Sequence, residues 1–125
     1  MKTKKTHIIF TLLALLFLIT ACLSSSTLRE LNLTPGIYEG SAMGLRGPIT
    51  VLLELSSGEI VDIEIIEYRE SVHPGLAAME ELLEMVLETG STDIDVISGA
   101  TFSSRGFLEA VENALEKAFS NKVSN

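Results

Sequence analysis

The sequence predicts an α+β domain, in which a three-stranded antiparallel meander packs against two helices. Two patterns in its 125 residues carry that prediction. From Ile49 to Leu55 and again from Val61 to Ile65 apolar residues stand at every second position, and from Leu76 onward they recur every three or four. Turns marked by glycine and proline separate the two regimes.

The first 21 residues stand apart from the fold. Lys2, Lys4 and Lys5 precede an almost unbroken apolar run from Ile8 to Ile19, the pattern of an export signal. A membrane-spanning helix needs about twenty such residues, and this run is shorter. Ile19-Thr20-Ala21-Cys22 follows directly and looks like a bacterial lipobox. Residues 1–21 therefore read as a lipoprotein signal peptide, and Cys22 as the lipidated first residue of the mature chain. The competing reading is an uncleaved anchor with an incidental cysteine. The expected location is extracytoplasmic, anchored to the bacterial membrane through the lipid on Cys22.

Cys22 is the only cysteine. Within this chain that excludes a disulfide framework, a zinc ribbon, a Cys-ligated cluster and a Cys-x-x-Cys pair. His73 is the one histidine beyond the signal, so a histidine metal site is not expected either. Any redox chemistry then requires an organic cofactor. Past residue 21 the chain has six Lys and Arg against 17 Asp and Glu, a net charge near −11. Nucleic acid and anionic headgroups repel such a surface. No nucleic-acid partner is expected.

Residues 22–34 read as a tether rich in Ser and Thr. Pro35-Gly36 opens a domain expected over residues 35–120, with a disordered tail at 121–125. Ile37 to Ala42 forms the first predicted strand. In the second, Ile49, Val51, Leu53 and Leu55 share one face, with Thr50 and Glu54 on the other. Ser56-Ser57-Gly58-Glu59 is a hairpin turn, and the return strand is expected to bury Val61, Ile63 and Ile65.

One apolar face of a sheet must be covered. The first predicted helix presents Leu76, Met79, Leu83, Val86 and Leu87, and ends at Thr89-Gly90. The second is expected from about Ser104, through Phe107, Leu108, Val111, Leu115 and Phe119. Its Glu109, Glu112 and Glu116 read as a solvated face rather than a catalytic carboxylate pair.

Between the helices stands Asp95-Val96-Ile97-Ser98-Gly99-Ala100-Thr101. Together with Tyr38-Glu39-Gly40, Gly47-Pro48, the hairpin, Pro74-Gly75 and the final helix, this segment resembles the FMN-binding domain family. That family includes the flavin modules of sodium-pumping NADH:quinone oxidoreductases and related ferredoxin-dependent complexes. The resemblance implies FMN joined by a phosphoester to Thr101, placed there by a separate flavin transferase that uses FAD. It further implies electron donor and acceptor proteins, or quinone, as partners. The function expected is electron carriage rather than catalysis on a substrate of its own. The alternatives are a non-redox binding lipoprotein, or a module of a larger reductase that holds FMN noncovalently.

The residues agree with an attachment made from outside. A threonine hydroxyl is a poor nucleophile without an activating base, and this segment has neither histidine nor lysine. After Ser98, Gly99 and Ala100 keep the approach to Thr101 narrow and unobstructed. The start of the second helix favours a phosphodiester, with Ser103 and Ser104 as further donors and Arg105 as an offsetting charge. A bland reading makes the same stretch a polar loop and helix cap.

Met43, Gly44, Leu45 and Arg46 offer a berth for the isoalloxazine ring, with Arg46 near its pyrimidine edge. These glycines serve a plain turn equally well, and both readings stand. The family often shows Glu-Thr-Pro-Gly after the third strand. Here Glu70-Ser71-Val72-His73-Pro74-Gly75 is two residues longer, which puts flavin contacts from Glu70, Ser71 and His73 in doubt. His73 reads as exposed.

Overall fold

The computed structural model describes residues 7–9, 11 and 33–123, in two units, Met1–Leu31 and Asn32–Asn125. In the first unit residues 7–9 and 11 are helical, and the Thr11 hydroxyl donates to the carbonyls of His7 and Ile8. Cys22, the tether up to residue 32 and most of the signal lie outside the described residues. Among the described residues no helix is long and apolar enough to cross a membrane.

The second unit holds an antiparallel sheet of β1 (Gly36–Met43), β2 (Pro48–Ser56) and β3 (Glu59–Glu67) in that spatial order. A wide turn (Val72–Leu76) leads into α1 (Ala77–Thr89), and a connection leads on to α2 (Thr101–Val123). Ordered packing begins slightly before the expected boundary at residue 35. Leu33 is buried in the core, and the Tyr38 hydroxyl donates to the carbonyl of Thr34 at 2.9 Å. At the other end α2 continues to Val123, into the stretch expected to be a disordered tail.

The strand alternation holds along β2, where Ile49, Val51, Leu53 and Leu55 are all buried. Ser57 and Gly58 have φ of 53° and 79°, the paired positive values of a tight I′ hairpin turn. Along β3 the alternation slips twice. Leu55 pairs with Ile60 while Glu54 pairs with Asp62, and Val51 pairs with Ile65 while Thr50 pairs with Glu67. Val61 and Ile66 are thus the extra residues of two bulges, which leaves each unpaired. Both are exposed. The alternation alone would bury Val61; Ile60 takes the inward place instead, half-buried against the core.

Both helices cover the inner face of the sheet. Met79, Leu82 and Val86 of α1 meet Phe107 and Val111 of α2 in a core with Ile49, Val51 and Leu53. Gly90 ends α1 in the left-handed conformation, its N–H donating to Val86 at 2.8 Å. The second helix begins three residues earlier than expected. The Ser104 N–H already donates to the carbonyl of Ala100, so the hydrogen-bond ladder takes in Thr101.

α2 runs close along β1. A Cβ on Gly40 would collide with the carbonyl oxygen of Ala110, and would lie 2.6 Å from the backbone nitrogen of Ala114. The helix also covers the free edge of β1. Lys117 Nζ donates to the carbonyl of Glu39 at 2.6 Å, and Asn113 Nδ2 to that of Ser41 at 2.9 Å. Edge carbonyls covered in this way cannot recruit another strand. Gly40→Ala forces a methyl against helix backbone, which cannot rotate aside. It is expected to cost about 2 to 3 kcal/mol, read as a lowered urea midpoint at unchanged slope. A wild-type midpoint would show that α2 can shift outward freely.

Candidate functional site

The loop 43–47, the turn 72–76 and the first turns of α2 meet at one end of the domain. The loop is closed on itself by the Gly44 N–H donating to the carbonyl of Gly47 at 2.8 Å. It lies directly on α2, where a Cβ on Gly106 would stand 2.7 Å from the Met43 carbonyl and 2.9 Å from Gly44 Cα. No side chain fits between them. Phe102 stands one helical turn before Gly106 on the same face, and is 63% exposed. Met43 and Leu45 are 69% and 61% exposed. Three large apolar side chains are thus left in water on the segments that meet here, the kind of exposure that marks an interaction surface.

Beneath them lies Glu70, 8% exposed. One carboxylate oxygen accepts the Arg46 N–H at 3.1 Å and the other accepts the Ser103 hydroxyl at 2.6 Å. Gly75 packs against the same side chain: a Cβ on this glycine would stand 2.9 Å from Glu70 Cβ. His73 is exposed, as expected.

The segment expected to bear the attachment point closes in a tight turn set on the helix. Ala100 N–H donates to Ile97 at 3.0 Å, and Gly99 between them has φ 82°. A Cβ on Gly99 would meet nothing within 4 Å. The turn therefore faces open space. Ala100 is buried, Ser98 is exposed, and Thr101 is half-buried at the first position of α2. Asp95 and Arg105 are exposed.

Ser103 and Ser104, expected as donors toward a phosphate, have their hydroxyls inside the protein. Ser103 is engaged by Glu70, and Ser104, wholly buried, accepts the Ile97 N–H at 3.1 Å. They brace the turn from below. The donors left at this helix start are the N–H groups of Thr101, Phe102 and Ser103, since that of Ser104 is already bonded to Ala100. The residues present thus fit a planar cofactor that carries a phosphate: the amides of a helix start beside a half-buried threonine, and exposed apolar side chains within one turn.

Phe102 escapes a reading of the sequence because it falls in what reads as linker. Glu70 and Gly75 are visible in the resemblance, but what they touch is distant in the chain and is not. Gly106 does carry a signal, since a lone glycine inside a helical pattern commonly marks close packing.

Residues 44–116 match the model of the FMN-binding domain family. The chain is 33% identical over 104 residues to the NADH:acrylate oxidoreductase of Vibrio harveyi, covering 79% of this chain and 10% of that protein. With the urocanate reductase of Eggerthella lenta it shares 32% identity over 79 residues, 63% of this chain and 13% of that one. It thus spans a small part of either relative. A crystal structure of a Clostridium perfringens protein, 23% identical, matches with a TM-score of 0.55 over 72% of this chain and 92% of that one. That likeness concerns the fold. The family match takes in the loop, the buried glutamate and the attachment turn, and by it this chain belongs to the FMN-binding domain family.

Proposed function

We propose that the chain carries FMN esterified through its phosphate to Thr101, and serves as an electron-transfer module held outside the cytoplasm by a lipid on Cys22. The observation that carries this reading is the placement of Thr101, at an open helix start beside an exposed apolar berth, in a member of this family. Bound FMN supplies one- and two-electron chemistry, and the protein's work is to hold and orient it. The N–H groups of Thr101, Phe102 and Ser103 would hold the phosphate, Met43, Leu45 and Phe102 would supply the apolar surface for the ring, and Arg105 lies one turn beyond Thr101. The two named relatives are reductases of which the matching part is a small segment. This supports a carrier that passes electrons between a donor and a reductase or quinone.

Attachment needs an outside flavin transferase. The Thr101 oxygen attacks the FMN phosphorus of FAD, the pyrophosphate P–O bond breaks, and AMP leaves with the hydroxyl proton passed to a base of the transferase. Asp95 is exposed on the approach to the turn, where such an enzyme can read it.

After coexpression with a transferase, wild-type protein is expected to fluoresce in a denaturing gel and to gain one flavin phosphate by intact mass. Thr101→Ala is expected to lose nearly all of that label while keeping its far-ultraviolet circular dichroism, and Thr101→Ser to keep part of it. Asp95→Ala is expected to load poorly, with Asp93→Ala as the unaffected control. A fluorescent Thr101→Ala band would move the site to Ser98. Colour lost from wild type on denaturation would support noncovalent FMN instead.

The anchor is tested separately. Wild type is expected to incorporate a clickable fatty acid and to partition with membranes, and Cys22→Ser to do neither. Equal labelling of the two proteins would remove the lipid from the proposal.

A further inference from the structure

We propose that Glu70 is the positioning residue of the flavin site, fixing the ring berth relative to the attachment point. The inference rests on the reading that flavin hangs from Thr101. It begins with a buried acid whose two oxygens hold two different segments, the Arg46 N–H at 3.1 Å and the Ser103 hydroxyl at 2.6 Å. Arg46 belongs to the loop with Met43 and Leu45. Ser103 belongs to the first turn of α2, two residues after Thr101. One planar group therefore spans from the berth to the base of the attachment point.

Burial of a carboxylate is costly unless it is compensated. Its hydrogen bonds supply part of the compensation, and the positive end of the 23-residue α2 supplies more, since Ser103 is the third residue of that helix. The surroundings are built tightly around the acid. A Cβ on Gly44 would collide with Glu70 Oε1, and one on Gly75 would press on Glu70 Cβ. The loop has its own closing bond from Gly44 to Gly47, so it keeps its turn without Glu70. What it would lose is its hydrogen-bonded tie to the helix. Leu45 and Arg46 at the loop tip would then shift relative to Thr101, while Met43 stays paired with Pro48 in the sheet.

Glutamine has the same reach, and holds both partners if its oxygen accepts from Arg46 and its amide donates to the Ser103 oxygen. Alanine holds neither. In flavin-free protein, Glu70→Ala is expected to speed hydrogen exchange at the Arg46 amide at least tenfold, with amides of β2 unchanged. At equal flavin content by intact mass, Glu70→Ala is expected to lose most of the visible circular dichroism of the flavin and to lower its fluorescence anisotropy. Glu70→Gln is expected to restore both. If Glu70→Ala does not fold, Ser103→Ala cuts one of the two ties and is expected to change the same signals in the same direction.

A merely structural glutamate would lower the urea midpoint but leave the flavin's dichroism and anisotropy at wild-type values. That result would overturn the proposal, as would wild-type exchange at Arg46. Wild-type protein that takes up no flavin would instead overturn the flavin reading itself, so the two failures are told apart.

Discussion

The close approach of α2 to β1 and to the loop beyond it is the constraint on which the rest of the domain depends. Gly106, Ala110, Ala114 and Ala118 recur every fourth residue and are all buried. Such a row forms a shallow groove along a helix. β1 contributes Gly40 to the same contact, so backbone meets backbone with little side chain between. The large residues of α2, Phe107 and Val111, are thereby turned toward β2 and α1, where they close the core. This register also carries the helix start to the end of β1. The first turns of α2 and the loop 43–47 become neighbours through the same packing that makes the fold stable.

Much of this is legible in the sequence, and the exceptions have physical causes. The strands are readable because one side of the sheet is dry and the other wet, which imposes a period of two. The bulges at Val61 and Ile66 are not, since an extra residue in one strand is defined by its partner strand. The row of small residues on α2 is equally hard to see. Alanine and glycine add little to an apolar pattern, yet here they decide which face touches the sheet. The start of α2 reads late because Thr101-Phe102-Ser103 looks like a cap. In the structure Ser104 N–H already bonds back to Ala100, and the two serines serve the interior.

The site itself is half legible. The stretch from Asp95 to Thr101 is continuous, so its resemblance to a family motif can be seen directly. Glu70 joins residues 24 and 33 positions away, and no local pattern encodes such a meeting. The two-residue extension before Pro74 throws doubt on flavin contacts from this segment. In the structure this stretch forms the wide turn 72–76, where the Leu76 N–H donates to Ser71 at 2.8 Å. Val72, His73 and Pro74 are exposed there, while Gly75 is buried against Glu70 and Ser103.

The attachment turn combines two properties that usually oppose each other. It protrudes, with open space around Gly99, and yet it is held at both ends. The Ala100 to Ile97 bond closes the turn, and Ser104 secures Ile97 from within the helix. A protruding loop that is mobile must be ordered by whatever binds it, and each immobilised side chain costs about 0.5 to 1.5 kcal/mol. A braced corner avoids much of that cost. In the proposed function the same corner is met twice, first by a transferase and then by the flavin folding back toward Met43, Leu45 and Phe102. Both encounters require the hydroxyl of Thr101 to face outward from a fixed base. Directing Ser103 and Ser104 inward supplies that base, and of the three hydroxyls at the helix start it leaves that of half-buried Thr101 for the proposed attachment.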